Sequence, residues 1–310
     1  MDLIPSNLNA RQELIGKEFD VLDFGKIVVM EVMGCDRSIV DNARTSYHTD
    51  STKSYSDDDT LLRYLFRHRH STPTETGNQI KLFVSLPITV ERQWARHRTA
   101  AWNEVSARYS VLPEKFYLPR PENVCYQDKK NRQGRAEQLE PELAARIISE
   151  QRDQCEMAFS VYNEHCRQGV ARELARDILP FCTYTEKVWS ISLHNLFHFL
   201  GLRMDGHAQY EIRAFADIIG NEIVSKLWPI SWKAFLDYRL NAMSLTALDI
   251  KMVKKIAMLN RNQPMGYDTF CYHVSVVCPQ WNLARCRERD ECFEKMVALN
   301  LCEARNEVPA

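Results

Sequence analysis

No stretch of the 310-residue chain stays apolar for the roughly 18 residues that a membrane-spanning helix needs. No basic, apolar and small-residue sequence of the secretory kind stands at the N-terminus either. These two absences set the expectation of a soluble, cytoplasmic protein with no membrane partner. An excess of one charge is missing as well, since 40 Lys and Arg face 41 Asp and Glu for a formal net charge of -1. That balance argues against a partner that is a nucleic-acid polymer, so any anion-binding site has to be local. The ten cysteines are scattered and none of the tail spacings is Cys-x-x-Cys, which predicts reduced thiols in a chain large enough to fold without staples. No internal repeat is present.

What remains is a globular chain, 45% hydrophobic, able to bury a sizeable core. Residues 26–33 and 80–86 are rich in β-branched and apolar residues and read as core strands. Between them Asp57, Asp58 and Asp59 precede a helical stripe of Leu61, Leu62, Tyr64, Leu65 and Phe66, and Ser71-Thr72-Pro73 breaks that helix. Ser85 is placed to cap a further helix with Pro87 in its first turn, running to about Arg98. Residues 120–145 are polar and read as a surface excursion. Helical periodicity returns at 146–178, 186–203 and 207–228, and the tail from about 248 to 310 is helix-like and cysteine-bearing.

Chemistry concentrates between Gln93 and Tyr109. On a helix Gln93, Arg96 and His97 share one face while Arg98 projects from another. Ser106 and Arg108 follow in a loop, where a hydroxyl, backbone N–H groups and a guanidinium fork suit a phosphate. The bland alternative is a solvated helix end held by surface ion pairs. His194 and His198 stand one helical turn apart, a zinc spacing that His207 would complete, but no acid adjoins His194 as in His-Glu-x-x-His, which favours core or cofactor contacts. Cys271, His273, Cys278, Cys286 and Cys292 are soft ligands that read better as buried residues.

The run from Arg96-His97-Arg98 through Asn103-Glu104, Ser106 and Arg108-Tyr109 resembles the signature of the flavin-dependent thymidylate synthases, with Ala101 in place of the usual Ser. The resemblance extends from about Lys26 to Asn241. It takes in Met33-Gly34-Cys35-Asp36 with Ser46-Tyr47, and His68 to Pro73, where Thr74 replaces a frequent Phe. It continues through Ala171 to Arg176, Leu193 to Arg203, and His207 to Glu211.

The resemblance implies an α+β fold, a single domain with a mostly antiparallel sheet packed against helices, plus a helical C-terminal extension. The catalytic domain would cover residues 1–247 and the extension 248–310. Implied too is reductive methylation of dUMP at C5, with methylenetetrahydrofolate as carbon donor and FAD, reduced by NADPH, as hydride source. By positional match Thr72, Arg96, His97, Arg98, Glu104, Ser192, His194 and His198 contact FAD. Gln93, Arg96, Glu104, Ser106, Ala107, Arg108, Arg176 and Arg203 surround the nucleotide, and Arg203 activates the ring. The sites would be shared between subunits of a homotetramer. Three alternatives stay open: a flavin-dependent methylase or hydroxymethylase acting on UMP or another pyrimidine nucleotide, a non-catalytic nucleotide-binding protein, and a zinc hydrolase.

Overall fold

The structure is a computed structural model describing residues 7–45, 55–129, 133–259, 263–283 and 286–305. Ser46 and Tyr47, as well as parts of the 120–145 excursion and of the tail, lie outside the described residues. The chain divides into two compact units, Met1–Asn241 and Ala242–Ala310.

The first unit opens with α1 (Leu8–Leu14), the strands β1 (Glu18–Val21) and β2 (Gly25–Met33), then α2 (Asp36–Arg44), α3 (Tyr55–Arg67) and the one-turn α4 (Thr72–Glu75). β3 (Gln79–Pro87), α5 (Ile88–Trp94) and β4 (Ala100–Glu104) follow. After the hairpin β5 (Cys125–Gln127) and β6 (Arg135–Gln138) come α6 (Pro141–Arg167), α7 (Arg172–Ala175), β7 (Tyr184–Ser192), α8 (Leu193–Arg203) and α9 (Tyr210–Ile218). α10 (Ser225–Leu227) and α11 (Pro229–Phe235) alternate with π-helical stretches at Ile219–Val224 and Leu236–Leu240.

Five strands form one sheet in the order β1-β2-β3-β7-β4, every neighbouring pair antiparallel. The first unit is thus an α+β fold whose sheet packs against helices. β3 buries Ile80, Leu82, Val84 and Leu86 at every second position, the period-two pattern of a strand, and Ser85 and Pro87 are buried as well at its end. Those side chains share a core with Trp94, Trp189, Phe199 and Phe215, each fully buried aromatic contributing roughly 1.5–3 kcal/mol of transfer free energy.

Two sequence expectations need correction here. Ser85 does not cap a helix: β3 runs on to Pro87, which pairs with Tyr184 and then caps α5. A proline suits that end of a strand because its missing N–H interrupts little of the ladder. The 186–203 segment is not helical throughout. Residues 184–192 form the sheet's inner strand β7, paired with β3 over nine positions and with β4 over five. The inward set of β7 is Thr185, Lys187, Trp189 and Ile191, so two polar residues hide the strand periodicity. Ala100–Glu104, between the helix expected to end near Arg98 and the loop at Ser106, is the edge strand β4, largely exposed and therefore without alternation.

The excursion at 120–145 contains β5, β6 and the first turn of α6. Asp58 adds a long-range role to the acidic start of α3: it accepts from Arg37 at 2.6 Å and from Arg44, tying α2 to α3.

The second unit contains α12 (Ala247–Met258), α13 (Tyr267–Val277) and α14 (Arg287–Ala298). Thr246 starts α12 with a reciprocal cap, its hydroxyl accepting from the Asp249 amide at 3.1 Å while Asp249 accepts from the Thr246 amide at 2.8 Å. Met252, Phe270, Trp281, Phe293 and Met296 form this unit's own core, together with buried Cys278, Cys292 and Cys302. All ten cysteines are free. Among the described residues no helix is long and apolar enough to cross a membrane, and no three His, Cys, Asp or Glu side chains gather into a metal site.

Candidate active site

α5 stops at Trp94, whose indole is wedged between Trp189 (centroids 5.1 Å apart) and Phe199 (4.6 Å). Ala95 and Arg96 turn, and the His97 amide donates to the Trp94 carbonyl at 3.0 Å. Gln93, Arg96 and His97 therefore do not share a helix face as their spacing implied. The turn instead sends His97 inward against Phe199 (4.8 Å) and leaves Arg96 and Arg98 exposed.

The buried imidazole meets the last residue of α8. Arg203 donates through Nε to His97 Nε2 at 2.9 Å and through Nη2 to the Gln93 carbonyl at 3.2 Å. A guanidinium has only donors, so Nε2 must carry a lone pair and His97 must be neutral. Burial, then the charge of Arg203 and the neighbouring His198, depress the His97 pKa to about 4. Burial also lowers Arg203.

The unfolded chain thus binds a proton at His97 that the folded chain refuses between about pH 6.5 and 4, and folding stability falls as pH drops through that window. Denaturant unfolding of the protein and of His97→Gln at pH 7.5 and 5 should show a shallower loss in the variant. Equal losses would refute the assignment.

Two cavities draw on the same elements, one lined by residues of α8 and the other by residues of the segment after β4. The larger, about 500 Å³, has Phe66, Phe197 and Phe235 in its wall and His70, His194 and His198 among its polar groups. Ser192 caps α8, its hydroxyl accepting from the Asn195 amide at 3.4 Å. Thr72 lies between Ser71 and Thr74, both of which line the cavity. The smaller, about 260 Å³, brings together Glu104, Ala107, Arg176 and Thr185. Glu104 accepts from the Thr185 hydroxyl at 2.7 Å. Ser106 accepts from the Arg108 amide at 3.3 Å, while the Arg108 guanidinium pairs at the surface with Glu173 at 3.2 Å.

The first cavity falls in the range of small-molecule sites, and phenylalanine rings beside imidazole and hydroxyl groups fit a flat ring system carrying phosphates.

Two polar features had no signal in the sequence pattern. Lys187 of β7 forms a buried ion pair with Glu91 of α5 beneath the site, its ammonium 4.7 Å from the Trp94 ring centroid. Glu211 of α9 is also buried and accepts from Tyr117 (3.0 Å), Gln209 (2.7 Å) and Arg135 of the β5–β6 hairpin (2.7 and 2.8 Å). Burial pushes its pKa up, but the hydrogen bonds from Arg135 and Gln209 outweigh that and hold it below the ordinary value. Gln209 in turn accepts from Gln93, so the polar excursion connects to the site.

The family model described as thymidylate synthase complementing protein matches residues 28–230. The chain is 44% identical over 243 residues to the flavin-dependent thymidylate synthase of Wolbachia pipientis, covering 78% of this chain and 84% of that one. The chain belongs to the flavin-dependent thymidylate synthase family. The family's enzyme from Ruegeria pomeroyi is 47% identical over 240 residues, covering 76% of this chain and 78% of its own. Among solved structures, the UMP/dUMP methylase PolB of Streptomyces cacaoi bound with 5-Br dUMP aligns with a TM-score of 0.64 at 27% identity. That alignment covers 72% of this chain and 99% of PolB. The family match ends before the second unit begins.

Against the residues that the family resemblance implies, the tertiary structure joins the 93–104 segment to α8 through His97, Gln93 and Arg203. Glu104, Ala107 and Arg176 meet at one cavity, His194 and His198 at the other. Arg96, Arg98 and Arg108 stay at the surface of the single chain.

Proposed function

We propose that the chain methylates dUMP at C5 to give dTMP, with methylenetetrahydrofolate as carbon donor, FAD as redox cofactor and NADPH as reductant. It does so as a cytoplasmic homotetramer with shared sites. The observation that carries this reading is the direct bond from Arg203 to His97, which joins the signature segment to α8. When bound, FAD supplies the hydride that completes the methyl group.

Arg203 spends two of its five N–H donors within the chain, leaving three for the N3 and O2 edge of a pyrimidine. A guanidinium there favours the deprotonated ring and raises electron density at C5. In this reading Ser106, the backbone at Ala107, Arg108 and Arg176 hold the nucleotide phosphate with Gln93 and Glu104 alongside. Arg96, which also reaches the nucleotide, holds the flavin dinucleotide with Thr72, His97, Arg98, Glu104, Ser192, His194 and His198. Neutral His97 presents its other ring nitrogen as a donor without adding charge. No step requires a cysteine nucleophile. Tyr109, Leu174 and Phe181 are exposed by 77%, 62% and 70%, and such apolar side chains near the second cavity support burial against another subunit.

Two measurements test the reading. Purified protein should show flavin absorbance that dUMP perturbs, and turnover with dUMP, methylenetetrahydrofolate and NADPH should yield dTMP. A colourless protein that binds no added FAD would overturn it. The name of the PolB neighbour favours one further acceptor, UMP, so product formation from UMP in place of dUMP would shift the assignment to a ribonucleotide methylase.

A further inference from the structure

We propose that Arg69 and Arg239 form a two-guanidinium clamp for an oxyanion, phosphate or carboxylate, of the ligand that fills the phenylalanine-walled cavity. Both side chains line that cavity, and neither is among the residues that the resemblance assigns to flavin or nucleotide contacts.

Arg69 follows the end of α3 in the left-handed conformation, φ 60°. Its amide donates to the Phe66 carbonyl at 3.2 Å and the next amide, of His70, to the Leu65 carbonyl at 2.9 Å. That helix-ending turn is the one glycine fills without strain, and any other residue costs about 1 kcal/mol or more. An arginine is therefore a poor choice for the backbone, and what it adds is a guanidinium at the cavity rim. Arg239 comes from the π-helical stretch Leu236–Leu240.

The nearest acid in sequence, Asp237, is already engaged by Arg63 at 2.7 Å, and Arg63 also donates to the Tyr238 hydroxyl at 2.9 Å. Among the described residues neither Arg69 nor Arg239 has an ion-pair partner. The two stand close enough that, after burial, the charge of Arg69 further lowers the Arg239 pKa. Both arginines are exposed while lining the cavity, so an entering anion can engage the two like charges together, and guanidinium forks bind phosphate and carboxylate in bidentate fashion. The stacked pair Phe197–Phe235, 4.7 Å between centroids, supplies a flat apolar surface alongside for a ring attached to that anion.

The clamp rests on the proposed function only for the identity of its ligand. Three sources carry the required chemistry: the pyrophosphate of FAD, the 2′-phosphate of NADPH and the glutamate carboxylates of the folate. The test compares wild type with Arg69→Gly/Arg239→Gln on paired ligands: FAD with riboflavin, NADPH with NADH, and polyglutamyl with monoglutamyl folate. The double variant should bind one anion-rich member at least about tenfold more weakly while binding its partner as before. The single variant Arg69→Gly should not lower the unfolding midpoint, because it removes backbone strain. Wild-type affinity for all three anion-rich ligands in the double variant would overturn the clamp.

Inorganic pyrophosphate reads the site without any flavin chemistry. It should raise the thermal midpoint of wild type more than that of the double variant, which keeps the phosphate-binding groups at Ser106, Arg108 and Arg176, and an equal response would likewise refute the proposal. Wild type that responds to pyrophosphate but binds no flavin would instead defeat the functional reading and leave the clamp standing.

Discussion

Replacing Arg203 with alanine is expected to lower kcat with dUMP by about 10²–10³-fold, the loss typical of removing one preorganised donor from a developing anion. The site holds this side chain at both ends of its fork. Nε is fixed on His97 Nε2 and Nη2 on the Gln93 carbonyl, so the plane of the guanidinium is set before substrate arrives. Partial burial sharpens the effect by thinning the water that screens it. Lysine should not rescue the loss, since an ammonium lacks the planar fork that engages two acceptors in one direction. Steady-state turnover together with a dUMP titration checks this role. Unchanged kcat in Arg203→Ala with dUMP still bound would remove Arg203 from the mechanism.

The second large effect lies beneath the site. Lys187→Met alone is expected to destabilise the protein by about 3–5 kcal/mol, because it strands the Glu91 carboxylate in the core. The side chains of Lys187 and Glu91 are 1% and 6% exposed. Burial pushes the lysine pKa down and the carboxylate pKa up, and each partner holds the other charged against that tendency. The double variant Lys187→Met/Glu91→Leu should recover most of the loss, since a buried pair replaced by apolar groups of similar volume is often neutral or stabilising. Denaturant unfolding of the three proteins decides the matter. A single variant as stable as wild type would mean that the pair is solvated in solution.

Lys187 also explains why the sheet was hard to read. Strands 25–33 and 79–87 stand out because apolar and β-branched residues dominate them, and the structure places both within a residue or so of expectation. β7 is an inner strand of the same sheet, between β3 and β4, yet Thr185 and Lys187 occupy two of its inward positions. The apolar residues around them, continuing into Leu193, Leu196 and Phe197, then mimic one long helical stripe. β4 fails for another reason: an exposed edge strand imposes no alternation.

The helix through residues 93–98 fails for a third. Local propensity permits it, but burying His97 against Phe199 and under Arg203 requires the turn at Ala95 and Arg96. Arg135 and Glu211 are 76 residues apart, and nothing in their local sequence marks them as partners.

Residue order alone settled the balanced charge, the two apolar strands of the first unit and the signature segment that points to the family, because those properties are local or compositional. Which arginine meets which histidine, which lysine is buried and which guanidiniums face a cavity were decided by packing. Each depends on groups distant in sequence whose desolvation must be offset by one another, and that balance exists only once the core has closed around them.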